Sequence, residues 1–167
     1  MSYGKSGGKE YRCRGIVGGY AEGFALLSKE PINLLTIDSN GVVNDHTSML
    51  YGKSVSDAIL IFPNAIGSSV GAYRLYALKV NNKAPSGIVC INTADIITAS
   101  AAAISGIPLV DRVGDAILGE LESAYGVGTD TEAGANVNVN LRVSSSVRVR
   151  VRVDAYAGII SIVDDYE

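Results

Sequence analysis

The chain has no tryptophan, two phenylalanines, two cysteines, one histidine and four prolines among its 167 residues. Each scarcity closes off a class of structure or chemistry. Cys13 and Cys90 lie far apart in no C-x-x-C arrangement, so neither a disulfide framework nor a metal site built from this chain's own thiols is expected. Both read as small buried hydrophobes. The lone histidine, His46 within Asn44-Asp45-His46-Thr47-Ser48, reads as a solvated loop residue. A Ser-His-Asp hydrolase would need it beside Ser68, and no serine stands in a G-x-S-x-G elbow. Gly67 is not followed by Gly-Lys-Ser/Thr, which excludes a P-loop. No apolar run approaches the length needed to cross a bilayer, and Met1-Ser2-Tyr3-Gly4-Lys5 has no apolar core of a signal peptide. A cytoplasmic protein without membrane contact is therefore expected. A net charge of −3 gives no basic footprint for nucleic acid.

What remains is an ordinary globular composition, 47% hydrophobic and 19% charged. The length suits one domain that buries a core without staples. Nineteen glycines against four prolines point to tight turns and close backbone contacts rather than disorder. Residues 1–10, rich in Gly, Ser and Lys, are expected to form a flexible tail, with a single domain over 11–167.

The N-terminal part, 11–43, breaks short apolar stretches with Gly15, Gly18, Gly19, Gly23 and Gly41, a spacing that suits short strands and tight turns. Residues 45–52 read as a loop. The rhythm then changes. Ala58-Ile59-Leu60-Ile61-Phe62 is a continuous apolar run closed by Pro63, as for a strand buried on both faces. A helix of about three turns follows, carrying Tyr73, Leu75, Tyr76, Leu78 and Val80, with Ser68 or Ser69 as its N-cap. A second buried strand (Gly87-Ile88-Val89-Cys90-Ile91), an alanine-rich helix over 94–104 stopped by Gly106, and a third strand (Ile107-Pro108-Leu109-Val110) complete a strand-helix alternation. That alternation implies parallel crossovers. A further helix is expected over 113–124. Residues 123–153 read as an extended loop and a β-hairpin, with strictly alternating arms over 136–143 and 147–153. A last strand over 158–163 precedes an acidic end. The fold class is thus α/β, with a mixed sheet, parallel crossovers in the middle and β-rich termini.

Two features invite a functional reading. A buried strand running into Gly67-Ser68-Ser69 at a helix start gathers backbone N–H groups and hydroxyls at one point, which suits a carboxylate, phosphate or oxyanion. An ordinary serine cap explains the same pattern and, taken alone, explains it more readily. The hairpin places valines on one face and Asn138, Asn140, Arg142, Arg148, Arg150 and Arg152 on the other. That stripe suits an acidic partner or phosphates, and better still a solvated sheet face.

Gly-Ile-Val-Gly-Gly-Tyr-Ala-Glu-Gly-Phe-Ala-Leu-Leu-Ser (15–28), Ile59-Leu60-Ile61-Phe62-Pro63, Gly67-Ser68-Ser69, Ala84-Pro85 and Gly106-Ile107-Pro108-Leu109-Val110 occur here in an order and spacing that resemble the small subunit of the aconitase X family. The resemblance covers residues 11–112 well and the final strands loosely. It implies a swivelling β/β/α domain that closes over a large subunit carrying an iron–sulfur cluster, with no metal bound by this chain. It also implies a hydro-lyase that removes water from 5-phosphomevalonate to give trans-anhydromevalonate 5-phosphate. By resemblance Ser68 is the proton acceptor, and Gly67 and Ser69 bind substrate beside it. A hydro-lyase for another hydroxy acid, such as a hydroxyproline, and a non-catalytic binding domain of the same fold are the alternatives. Three departures stand out. The family usually carries a Gly and a Lys or Arg just before the Gly-Ser pair, where this chain has Asn64-Ala65-Ile66. Its Gly-Gly-Val-Asp stretch is here Leu35-Thr36-Ile37-Asp38, and 123–153 is longer than usual.

Overall fold

The structure, a computed structural model, describes residues 8–124 and 149–163. The two runs expected to be buried on both faces form the centre of the sheet. β5 (Ile59–Phe62) and β7 (Gly87–Cys90) are buried at every position and pair in parallel. Their side chains alternate between two cores, as the period of two requires. Leu60, Phe62, Ile88 and Cys90 face α1 (Gly71–Val80) and α2 (Ile96–Ser105), meeting Leu75, Leu78, Ala101 and Ala102. Ile59, Ile61 and Val89 face the opposite way, into a second core with Val151, Val153 and Ile160. That core also takes Ile117 and Leu121 of α3 (Asp115–Ala124).

The flanking strands are β1 (Glu10–Arg12), β2 (Arg14–Val17), β3 (Tyr20–Leu27), β8 (Leu109–Asp111), β9 (Arg150–Asp154) and β10 (Ile159–Val163). The sheet order is β1-β10-β9-β3-β5-β7-β8-β2. β1 and β2 sit at opposite ends of that order although Cys13 alone separates them in the chain, so the sheet curls until its two edges are joined by one nearly continuous strand. β3 makes the other corner. Its first half, Tyr20 to Phe24, pairs antiparallel with β9, and its second half, Ala25 to Leu27, pairs parallel with β5. The result is two β layers enclosing the second core, with α1 and α2 as an outer helical layer. The expected α/β architecture with parallel crossovers is what the residues build.

The third strand of the parallel set lies two residues later at its start than the Ile107-Pro108-Leu109-Val110 reading, because Pro108 contributes its carbonyl, accepting from Ile88, and has no N–H to give a ladder. β1 starts at Glu10, inside the segment read as tail; residues 1–7 lie outside the described residues. So does most of the expected hairpin, at 136–148. Its described end follows the alternation. Val149, Val151 and Val153 are buried, while Arg150 and Arg152 lie outward and both pair with Glu22 on β3, at 3.2 and 2.9 Å. Among the described residues no helix is long and apolar enough to cross a membrane.

Curling the sheet forces backbones together, and glycine marks the closest approach. A Cβ on Gly15 would stand 1.9 Å from the Ala155 carbonyl oxygen, a contact that only movement of one backbone could relieve. Gly15→Val is expected to destabilise the domain by about 1–3 kcal/mol through overpacking, seen as a lower urea midpoint at unchanged m-value.

Candidate active site

After β5 the chain does not enter α1 directly. Pro63 ends the strand, and Ala65–Ile66 form β6, which pairs in parallel with β4 (Ile32–Asn33) in a separate two-stranded ladder. Ile32 donates to the Asn64 carbonyl at 3.1 Å. The N–H of Ala65 is directed away from β4 and donates to Asp95 Oδ2 at 2.7 Å. This short ladder lifts the next residues off the sheet.

Gly67 follows with φ +92, in the left-handed region. Its α-carbon lies against the Asn33 amide, so that an added Cβ would stand 2.9 Å from Oδ1 and 3.0 Å from Nδ2. Asn33 is itself held, because its Oδ1 accepts from Leu35 N at 3.1 Å to start the 3-10 turn Leu34–Thr36. Backbone sign and close approach therefore both require glycine here.

Ser68 and Ser69 are exposed. Neither is the N-cap of α1, which is Val70, in right-handed helical conformation with no side-chain cap. The turn bonds already begin upstream, since the carbonyls of Ser68 and Ser69 accept from Gly71 and Ala72 at 2.9 and 3.1 Å. The serine hydroxyls consequently fall outside the first helical turn. Ser68 Oγ accepts from the Val70 N–H at 3.3 Å. Among the described residues no acceptor meets the N–H groups of Gly67, Ser68 or Ser69. Three successive unpaired amides and two exposed hydroxyls suit an anionic group. Ile66, 50% exposed, and Val70, 54% exposed, flank the turn, and Tyr73, Tyr76 and Val80 continue an exposed apolar stripe along α1.

The turn lies past the C-terminal end of β5, the side of a parallel sheet where ligands commonly bind. Two carboxylates missed in the sequence organise that end. Asp95 N-caps α2, its Oδ1 accepting from Thr98 N at 2.9 Å and its Oδ2 from the Thr98 hydroxyl at 2.8 Å. Asp111 is fully buried. It accepts from Arg14 Nε and Nη2 at 2.9 and 2.7 Å and from the Ala94 amide at 2.7 Å. Burial disfavours its charge, but the Arg14 guanidinium and the Ala94 amide prevail and hold the carboxyl below its usual range. An aspartate just before an alanine-rich helix is a cap signal that identifies Asp95; nothing local identifies Asp111.

The other candidates lie elsewhere. His46 stacks on Tyr51 at 4.3 Å between ring centroids, and among the described residues no hydrogen bond joins it to Ser68. Burial, with Asp95 and Asp111 nearby, pushes the Cys90 thiol up to about 12; burial together with Asp111 and Asp154 pushes Cys13 up to about 11. Protonated thiols facing different cores do not fit an iron–sulfur cluster. Among the described residues no group of three or more His, Cys, Asp or Glu is placed to hold a metal ion.

A curled two-layer sheet with one helical layer and an exposed serine turn past the parallel strands defines a swivel-type domain. Residues 10–139 match the family model of the aconitase X swivel domain, and the chain belongs to that family. It is 47% identical over 102 residues to the phosphomevalonate dehydratase small subunit of Thermococcus kodakarensis, covering 60% of this chain and 76% of that protein. The corresponding subunit of Methanothrix thermoacetophila is 43% identical over 111 residues, covering 65% and 80%. The crystal structure of Thermococcus kodakaraensis aconitase X, holo-form, superposes with a TM-score of 0.72 at 35% identity, covering 94% of this chain and all of that one.

Asp111 generates a pH prediction. Its folded-state pKa is lowered, so its stabilisation is complete above the unfolded value and is lost as pH falls through the folded one. Asp111→Asn should lower stability at neutral pH and flatten the further loss between about pH 5 and pH 2, read from urea midpoints across that range.

Proposed function

We propose that this chain is the small subunit of a two-subunit cytoplasmic hydro-lyase that dehydrates 5-phosphomevalonate to trans-anhydromevalonate 5-phosphate. The observation that carries this reading is the exposed Gly67-Ser68-Ser69 turn, with its three unpaired amides, in a chain whose relatives are phosphomevalonate dehydratase small subunits. The apolar stripe from Ile66 along α1 supports a large-subunit partner that covers the turn.

Dehydration beside a carboxylate removes the α-proton and expels the neighbouring hydroxyl. An iron–sulfur cluster held by the large subunit supplies the Lewis acid for the departing oxygen. The task of this chain is the proton. Ser68 Oγ accepts it, and the Val70 N–H already directed at that oxygen favours the alkoxide form. The free amides of Gly67, Ser68 and Ser69 bind an anionic group of the substrate. A serine hydroxyl is a weak base in water, so the chemistry requires the turn to be closed off from solvent, where fixed N–H dipoles act more strongly.

One observation favours a second reading. Asn64-Ala65-Ile66, with Ile66 half-exposed, stands where the family usually has a Gly and a Lys or Arg, and this stretch without a base fits a less anionic hydroxy acid, such as a hydroxyproline, better than a phosphorylated one. Assaying the assembled pair on both acids separates the two. In either case the purified chain alone is expected to be inactive and co-expression with the large subunit to give a dehydratase. Ser68→Ala in that pair should lower kcat by about 10²–10⁴-fold at unchanged melting temperature, since the side chain is exposed. Turnover close to that of the native pair would remove Ser68 from the mechanism.

A further inference from the structure

The turn that carries Ser68 has a tether that comes from a different part of the chain. β6 has a partner strand on one side only, so the Ala65 N–H, on the other side, has no ladder carbonyl to meet. Asp95 fills that place from the opposite end of the β7–α2 connection, 30 residues away, at 2.7 Å. The same carboxylate starts α2 through Thr98 N and the Thr98 hydroxyl. The connection is in turn fixed from beneath, by Asp111 accepting from the Ala94 amide next to it at 2.7 Å. A run of hydrogen bonds thus leads from the Arg14–Asp111 pair, through residues 94–95, to a backbone point two residues before Gly67.

We propose that Asp95 is a positioning residue for Ser68: by accepting from Ala65 N–H while capping α2, it locks β6 and so sets where the Gly67-Ser68-Ser69 turn presents its hydroxyl. This role rests on the reading of Ser68 as proton acceptor. Charge-assisted bonds from a carboxylate to backbone N–H are short and strong, and the Asp95 bond and the two-residue ladder to β4 flank the same two residues. Without the carboxylate the near end of the turn keeps the ladder to β4 but loses its tether to the β7–α2 connection, and a small displacement of a reacting group is enough to slow a reaction severely.

Two substitutions separate the tether from the cap. Asp95→Asn keeps an oxygen for Thr98 N, and asparagine caps helices as well as aspartate does, but its NH2 group then confronts the Ala65 N–H, donor against donor. Asp95→Ser also caps α2 and is too short to reach Ala65. Both are examined in the full chain by amide NMR and hydrogen exchange, then in the pair assembled with the large subunit. The expected result is loss of exchange protection at Ala65 and shifted resonances over 65–70, while α2 beyond its first turn and the melting temperature stay close to native. In the pair, kcat should fall by about 10–100-fold at unchanged KM. Native resonances over 65–70 with native Ala65 protection in either variant would overturn the proposal. So would a kcat loss matched by a general fall in melting temperature in both. The NMR arm judges the tether without reference to turnover. If Ser68→Ala retains activity while Ala65 loses protection in the Asp95 variants, it is the reading of Ser68 that has failed and not the tether.

Discussion

The two-residue ladder between β4 and β6 is the constraint on which the site depends. β5 is buried at every position, and a chain continuing straight from it would remain in the interior. Pairing Ala65 and Ile66 with Ile32 and Asn33 moves the backbone sideways onto a small second sheet before it turns into α1. That displacement brings the Asn33 amide against Gly67, reverses the backbone sign there, and starts the turn bonds at Ser68 rather than at a capping side chain. The Ser68 hydroxyl is thereby left at the surface ahead of α1, its oxygen accepting from the Val70 N–H. The same geometry leaves three amides without acceptors, an arrangement that water satisfies in the free domain and that an anion satisfies better.

So short a ladder is weak alone, and the rest of the domain compensates. α1 packs through Leu75 and Leu78 on the core that also holds Phe62 and Cys90, so the far end of the turn is anchored by apolar burial. The near end is anchored by polar contacts, through Asp95 and, behind it, the buried Asp111 with Arg14. A buried carboxylate would be a liability without partners. Here it joins the edge strand β2 to the loop that starts α2, so the curl of the sheet and the placement of the turn are coupled through one residue.

Much of the architecture was legible in the sequence because it rests on local periodicity. The apolar runs around Leu60 and Val89 could be buried only from both sides, and the spacing of the helices between them implied parallel crossovers. The arginine–valine alternation over 149–153 shows in the structure as buried valines and outward arginines, the latter paired with Glu22. What escaped was non-local. β4 and β6 have two residues each, too few for any pattern. Asp111 has its partners 97 and 17 residues away. The cap of α1 falls at Val70 rather than at a serine; Ser-Ser before an apolar stretch has the composition of a cap, and only the φ of Gly67 and the bonds to the Ser68 and Ser69 carbonyls reveal that the serines lie in a turn that precedes the helix. The family resemblance identified the serine turn but carried no information on what holds it.

The central claim is that the 67–69 turn is an exposed feature built to be covered. Hydrogen exchange on the full chain, alone and with its large subunit, tests this directly. The amides of residues 67–69 should exchange freely in the isolated chain and become strongly protected in the pair. Protection confined to the Arg150 and Arg152 face of the sheet, with 67–69 unchanged, would contradict it.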